Sequence, residues 1–439
     1  MSGLAGLAAE AGYRVSGTDR EDSATLAALR ERGIDARAGH AAESLPAALD
    51  ALVVSTAIAD ENPELTAARA RGVPVLHRAE LLAELMRRRR GIAVAGAHGK
   101  STTSGMLVAA LDDCSCCVGA TIAGGGGTGA RWGEDPWFVA EADESDRSLL
   151  RLRPEAAILL NVDLDHHSTY GGIEELEEVF GRFVAALPPE GVLVVGPDDR
   201  ARALASAAPC EVRGVGEWHD AWARVERSDN GAGALITADG RRRSLQLAVP
   251  GAHNAWNAAC ALAVADWCGV DLDVAAERLA RFGGVGRRFE LRGEHGGVRV
   301  VDDYAHHPAE VRATLAAARE TGAARVVVVF QPHLYSRTRA LAAEFAQALA
   351  AADLVVVTEV YAAREPHDPD VSGRSIAEAI PGARFVADLA DVPAALCPEL
   401  SRGDLVITMG AGDVTGLGGS LLVGIEDVGH ERERYGDTA

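Results

Sequence analysis

Apolar residues in this chain fall into short continuous runs, separated by stretches where they recur every third or fourth position. Runs such as Ile92–Gly96, Arg325–Gln331 and Leu354–Tyr361 predict buried strands. Stretches such as Ser101–Leu111, Ile173–Leu187 and Pro308–Glu320 predict amphipathic helices. Strand and helix alternate for most of the length, which implies mostly parallel sheets with helices on their faces, an α/β fold. A first block carries strands at Tyr13–Asp19, Ala51–Thr56 and Val73–His77, with helices at Ser23–Arg32, Glu64–Arg71 and Ala79–Arg87. The basic run Arg87–Arg90 reads as a solvated helix end and linker. A second block opens at Gly91 and adds strands at Trp137–Ala142, Ala156–Val162 and Gly191–Gly196. A polar stretch from about Val212 to Val249 then suggests short antiparallel strands, and helices at His253–Cys268 and Val274–Phe282 close the block. A third block from Glu290 has strands at Val298–Asp302 and Asp404–Met409 and a helix at Ser336–Ala351, besides the runs named above. Three domains are therefore expected, at 1–88, 89–289 and 290–439, with a polar, poorly ordered tail from about 423.

Charge and composition narrow the function. A net charge of −21 argues against a nucleic-acid binder, while leaving room for a local nest of backbone N–H groups that binds an anion. No apolar run approaches the ~20 residues of a membrane span, and no basic, apolar leader opens the chain, so a soluble cytoplasmic protein is expected. The seven cysteines suit a reducing compartment. Cys114, Cys116 and Cys117 lack zinc-site spacing and read as unpaired thiols in a loop. Lys100 is the single lysine, and arginine stands at the other basic positions. A compact ammonium spared at one position points to a role that a guanidinium cannot copy.

That lysine lies in Gly96-Ala97-His98-Gly99-Lys100-Ser101-Thr102, between a predicted strand and a predicted helix. Glycines let the backbone curl around an anion, and the helix N-terminus adds partial positive charge. The lysine reaches the β- and γ-phosphates, and the next hydroxyl can ligate Mg²⁺. The full nucleotide-loop spacing is not met, because position 94 is Val. Glu141-Ala142-Asp143-Glu144-Ser145-Asp146 ends the next strand, where hard carboxylate oxygens suit Mg²⁺. Asn161 to His167, with Asp163, Asp165 and His166, ends the one after and offers a second metal or phosphate contact. In the first block, Asp19 and Ser55–Ala57 end strands and could touch a nucleoside.

Further segments follow: Gly251-Ala252-His253-Asn254-Ala255-Trp256-Asn257-Ala258, Arg287-Arg288-Phe289-Glu290, Asp302 to Pro308 (DDYAHHP), Phe330 to Thr338 (FQPHLYSRT) and Glu359-Val360-Tyr361. Together with the loop and the two strand ends, they resemble the Mur ligase family, in family order from residue 1 to about 420. The resemblance implies a Rossmann-like N-terminal domain, a P-loop-type central ATP domain and a Rossmann-like C-terminal domain. It implies an ATP-dependent ligase that activates a carboxylate as an acyl phosphate and joins it to an amine. Gly96, His98, Gly99, Lys100, Ser101 and Thr102 would hold ATP phosphates, with Ser101 and Glu141 on Mg²⁺ and His166 on a second metal. His253, Asn254, Asn257, Arg288 and Asp303 would hold the nucleotide, and Tyr304, His306, His333 and Arg337 would face the substrates. Lys100, Glu141, His166, His306 and Arg337 would be the catalytic set.

EADESD with DDYAHHP resembles the alanine-adding branch, which implies UDP-N-acetylmuramate and L-alanine as substrates, and a monomer or homodimer. The alternatives are a sister ligase adding another amino acid or peptide, or a non-catalytic nucleotide-binding paralogue. Some relatives carbamylate a lysine to hold the second metal. Here the only lysine is in the loop, so His166, carboxylates and water are expected there. The sequence departs from the family in two places. Ala97 replaces the usual Thr, and the chain opens at a segment that in the family follows a strand and a glycine turn, so a start further upstream is expected.

Overall fold

The computed structural model describes residues 1–439 except 124–127, 165–168, 228–232, 238–240, 364 and 436–439. The chain divides into two units, one of Met1–Glu226, Ala234–Leu245 and Trp256–Phe282, the other of Arg227–Gly233, Gln246–Ala255 and Gly283–Ala439.

The first unit is organised by a seven-stranded sheet. Its strand order is Glu211–Gly214, Val192–Val195, Ala156–Leu159, Arg90–Ala95, Trp137–Glu141, Ser115–Cys117, Ala130–Arg131. All pairs are parallel except the last. Ile92, Ala93, Val94 and Ala95 are fully buried, which is why this central strand reads as an unbroken apolar run rather than an alternating one. Because Arg90–Ala95, Trp137–Glu141 and Ala156–Leu159 run in parallel, the loops that follow them open on one edge of the sheet. Helix Ile173–Ala185 buries Leu176, Val179, Phe180, Phe183 and Val184, a stripe at helical spacing.

In the same unit the first block forms two separate parallel ladders, Ser16–Asp19 with Asp35–Ala38 and Leu52–Val54 with Val75–His77. Among the described residues no strand joins them. Helix Ser2–Glu10 precedes the first ladder.

The second unit holds a six-stranded sheet in the order Glu290–His295, Val298–Asp303, Asp404–Met409, Arg325–Phe330, Leu354–Val357, Arg384–Phe385. It is parallel except for its first pair. Helices Pro308–Glu320 and Tyr335–Leu349 follow two of these strands.

Four expectations change. Cys116 and Cys117 lie in a strand rather than a loop; Ser115–Cys117 pairs with Trp137–Glu141, and Cys114 and Cys116 pack as small buried residues. The basic run is not simply solvated: the Arg88 and Arg89 guanidiniums lie 5.1 and 5.0 Å from the centre of the Trp132 ring, and Arg90 lies 4.1 Å from that of Trp137. Glu211–Gly214, expected within an antiparallel region, extends the main sheet in parallel beside Val192–Val195. The polar tail continues as helix Leu417–Tyr435, anchored by buried Leu417, Leu421 and Ile425 on one face. Among the described residues, no helix is long and apolar enough to cross a membrane.

Candidate functional site

In the first unit, strand Arg90–Ala95 runs into a loop closed by Gly99, whose φ of 85° caps helix Lys100–Leu111. Gly96, at φ 132°, sits in a backbone conformation that strains any side chain, and a Cβ there would be crowded, 3.0 Å from Leu160 Cβ and 3.1 Å from the Asn161 nitrogen. A Cβ at Gly99 would meet Asn257 Oδ1 at 3.1 Å, so Asn257 closes on the loop. Asn161 fixes the loop from the neighbouring strand end. Its Oδ1 accepts from the His98 N–H at 2.8 Å, its Nδ2 donates to the His98 carbonyl at 3.0 Å, and its own carbonyl accepts from the Ala97 N–H at 3.3 Å. The His98 ring reaches Asp163 at 3.1 Å.

The Lys100 ammonium donates to the Gly96 carbonyl at 2.6 Å, the Ala97 carbonyl at 3.0 Å and the Glu144 carboxylate at 2.9 Å. Burial opposes its charge. The Glu144 carboxylate, with Glu141 and Asp143 behind it, outweighs burial and holds the lysine above its ordinary pKa. Glu144 itself is 1% exposed. Its segment is tied down by Tyr170, whose hydroxyl donates to the Glu144 carbonyl. Arg78 bridges Asp143 at 2.6 Å and Asp146 at 2.9 Å. Burial pushes the Asp143 carboxyl up, but hydrogen bonds from Ser145 and the charges of Arg78 and Lys100 bring it below the usual range. Glu141 accepts from the Gly119 N–H at 2.7 Å. Ser101 and Thr102 lie in the first turn of the helix, where backbone N–H groups lack intrahelical partners.

The second unit gathers the other named residues. Asp303 ends strand Val298–Asp303, 4% exposed, and accepts from the Phe289 N–H at 2.8 Å, the Ala305 N–H at 2.9 Å and Thr314 Oγ1 at 3.1 Å. Burial nevertheless leaves its pKa raised. Arg288 pairs with Glu310 at 3.1 Å and lies 5.2 Å from the Tyr304 ring centre. Burial opposes the Arg288 charge as well, and Glu310 and Asp303 restore it. His253 is held below the ordinary histidine value by burial and then by the Arg288 charge. Asn254 donates to the Pro250 carbonyl at 2.7 Å. The His306 ring packs edge-on to Tyr304 at 5.0 Å and lies 6.2 Å from His333, which stacks on Tyr361 at 5.8 Å. Arg337, 5% exposed, reaches His333 Nδ1 at 3.3 Å.

The structure thus brings Gly96, His98, Gly99, Lys100, Ser101, Thr102, Glu141 and Asn257 together in the first unit, and His253, Asn254, Arg288, Asp303, Tyr304, His306, His333 and Arg337 in the second. His166 lies outside the described residues. Asp19 accepts from the Arg20 N–H at 2.7 Å, and the Ser55 carbonyl accepts from the Ile58 N–H at 3.1 Å, both turn contacts. No signal in the sequence assigns a role to Asn161, Glu144 or Glu310, nor to buried Glu64, which accepts from Thr18 at 2.7 Å. Asn161 and Glu144 lie inside segments singled out above. Glu310 is visible only as a carboxylate one helical turn beyond His306.

Three family models match the chain: "Mur ligase family, catalytic domain" at residues 1–90, "Mur ligase middle domain" at 136–265 and "Mur ligase, glutamate ligase domain" at 287–412. The UDP-N-acetylmuramate--L-alanine ligase of Kineococcus radiotolerans is 50% identical over 96% of this chain and 93% of its own length. That of Rubrobacter xylanophilus is 45% identical, over 96% and 97%. The crystal structure of the UDP-N-acetylmuramate-alanine ligase from Thermotoga maritima superposes with a TM-score of 0.81 at 27% identity, covering 97% of this chain and 96% of that one. The chain therefore belongs to the Mur ligase family, with its three α/β domains built on mostly parallel sheets.

Proposed function

We propose that this protein joins L-alanine to the carboxylate of UDP-N-acetylmuramate, with ATP converted to ADP and phosphate, as a step in making peptidoglycan precursors. The relatives named above support the substrates. The observation that carries the chemistry is the single lysine, held on a curled loop at a helix N-terminus beside Glu144. We assign residues 1–88 to the UDP-sugar, 89–289 to ATP and 290–439 to ligation.

A carboxylate does not react with an amine at neutral pH, because an oxide is a poor leaving group. The muramoyl carboxylate oxygen attacks the γ-phosphorus of ATP, ADP leaves, and the resulting acyl phosphate has a good leaving group. Lys100 and the N–H groups of residues 96–102 orient the phosphates and offset their charge. His253, Asn254, Asn257, Arg288 and Asp303 position the nucleotide. Tyr304, His306, His333 and Arg337 face the muramoyl group and the amino acid.

The Glu144, Glu141 and Asp143 carboxylates all act on the Lys100 ammonium, and Asp143 and Asp146 flank Arg78. A triphosphate entering this acidic setting needs a divalent cation, and the oxygen donors suit Mg²⁺. Ser101 and Glu141 would hold it, with His166 on a second ion, and the metal would neutralise phosphate charge.

The test supplies ATP, Mg²⁺ and UDP-N-acetylmuramate with L-alanine, glycine, L-serine or a murein tripeptide, and reads phosphate release and product mass. L-alanine should give the fastest turnover, and Lys100→Met should lower it by about 10³-fold. Faster turnover with the tripeptide would make the protein a sister ligase. No alanine-dependent phosphate release would make it a non-catalytic paralogue.

A further inference from the structure

The Nδ1 edge of the His306 ring is anchored. Its Nδ1 lies 2.9 Å from the Tyr304 carbonyl and 3.2 Å from Glu310 Oε2, and both are acceptors. An imidazole nitrogen facing a carbonyl and a carboxylate carries its proton there, which places the ring's lone pair on Nε2. Glu310 is well placed to enforce this. Its Oε2 also accepts from the His306 backbone N–H at 3.0 Å, and its Oε1 is engaged by the Arg288 guanidinium at 3.1 Å. Both carboxylate oxygens are therefore fixed on a helix whose start is set by Pro308. Charged and titratable groups around the ring include Glu310, Arg288, Tyr304 and His333, with Arg287 over Tyr304 and Arg337 against His333.

We propose that His306 is the base that deprotonates the incoming amino acid, and that Glu310 is the positioning residue that fixes its tautomer. This rests on the ligase reading above. The amino acid arrives as an ammonium, which has no lone pair. His306 Nε2 takes one proton and becomes an imidazolium, paired with the Glu310 carboxylate. The neutral amine attacks the acyl phosphate carbon and the C–N bond forms. The C–O bond to phosphate breaks, phosphate leaves with the electron pair, and the second nitrogen proton passes to it or to water.

Hydroxylamine separates this step from the rest, because it is already uncharged at neutral pH and needs no base. The full-length enzyme is given ATP, Mg²⁺ and UDP-N-acetylmuramate with either L-alanine or hydroxylamine. In His306→Asn the ratio of alanine ligation to hydroxamate formation should fall about 100-fold, within the range that positioned proton transfer contributes. The alanine rate of that variant should climb as pH rises and free amine accumulates, while its hydroxamate rate should not. Glu310→Leu should lower the ratio about tenfold or more. Glu310→Gln keeps the shape and an acceptor oxygen, so it should lower the ratio less, and it serves if the Leu variant fails to fold. An unchanged ratio in His306→Asn, with both rates falling together, overturns the inference. Absence of hydroxamate from the unmodified enzyme removes the acyl phosphate reading itself, and this inference with it.

Discussion

Glu144 in the first unit and Glu310 in the second are both carboxylates held away from water beside a basic group, yet they do different work. Glu144 faces an ammonium that also has two loop carbonyls, and an ammonium looks the same from every side. What it receives is charge balance. Glu310 faces a planar ring and a planar guanidinium, each with defined donor directions. What it supplies is orientation. A buried acid–base pair is thus read by the symmetry of its cation: a point charge is stored, a plane is aimed.

Replacing the point charge with a plane should do the most damage. Lys100→Arg keeps the charge but cannot meet Gly96, Ala97 and Glu144 together, and ligation should fall by about 10²–10³-fold in steady-state assays. Retention of full activity would break the distinction. Glu144→Gln should act mainly on stability, because it strands a largely buried ammonium; urea unfolding should lose about 3 kcal/mol near neutral pH. The sign of its pH dependence follows from the raised Lys100 pKa. The pair's contribution is fully present below the ordinary lysine value of 10.5 and is lost as pH rises through the higher folded value. The gap between the two proteins should therefore close only in strong alkali. Glu310→Gln keeps an oxygen for His306 and should cost less, about 1 kcal/mol on the same urea scale. The smallest effect belongs to the thiols. Burial pushes Cys117, Cys260 and Cys268 up to about 12, and Cys114, Cys116, Cys210 and Cys397 upward too. Iodoacetamide at neutral pH should leave the activity of the folded protein unchanged.

Elements with strong periodicity were legible in the chain. Pro308–Glu320 and Asp404–Met409 have the bounds that their patterns predict, and the loop around Lys100 lies between the strand and helix expected of it. The losses have physical causes. Ser115–Cys117 is hard to see because clustered cysteines suggest chemistry before packing. The closing helix is hard to see because Leu417, Leu421 and Ile425 are a thin apolar line among glycines and charges. In the site, glycines and the lysine declare themselves through local spacing. Asn161 and Glu144 act on residues 63 and 44 positions away, and nothing local marks a side chain whose partner is supplied by folding.

One lysine in 439 residues also makes the protein its own reporter. Within these 439 residues an acylating reagent has a single lysine amine to find, and that amine is folded against two carbonyls and a carboxylate. A lysine-specific endoprotease likewise has one bond to cut in this stretch, after residue 100, in the opening turn of a helix. Labelling or cleavage at that position would count, molecule by molecule, how often the loop lets its ammonium go.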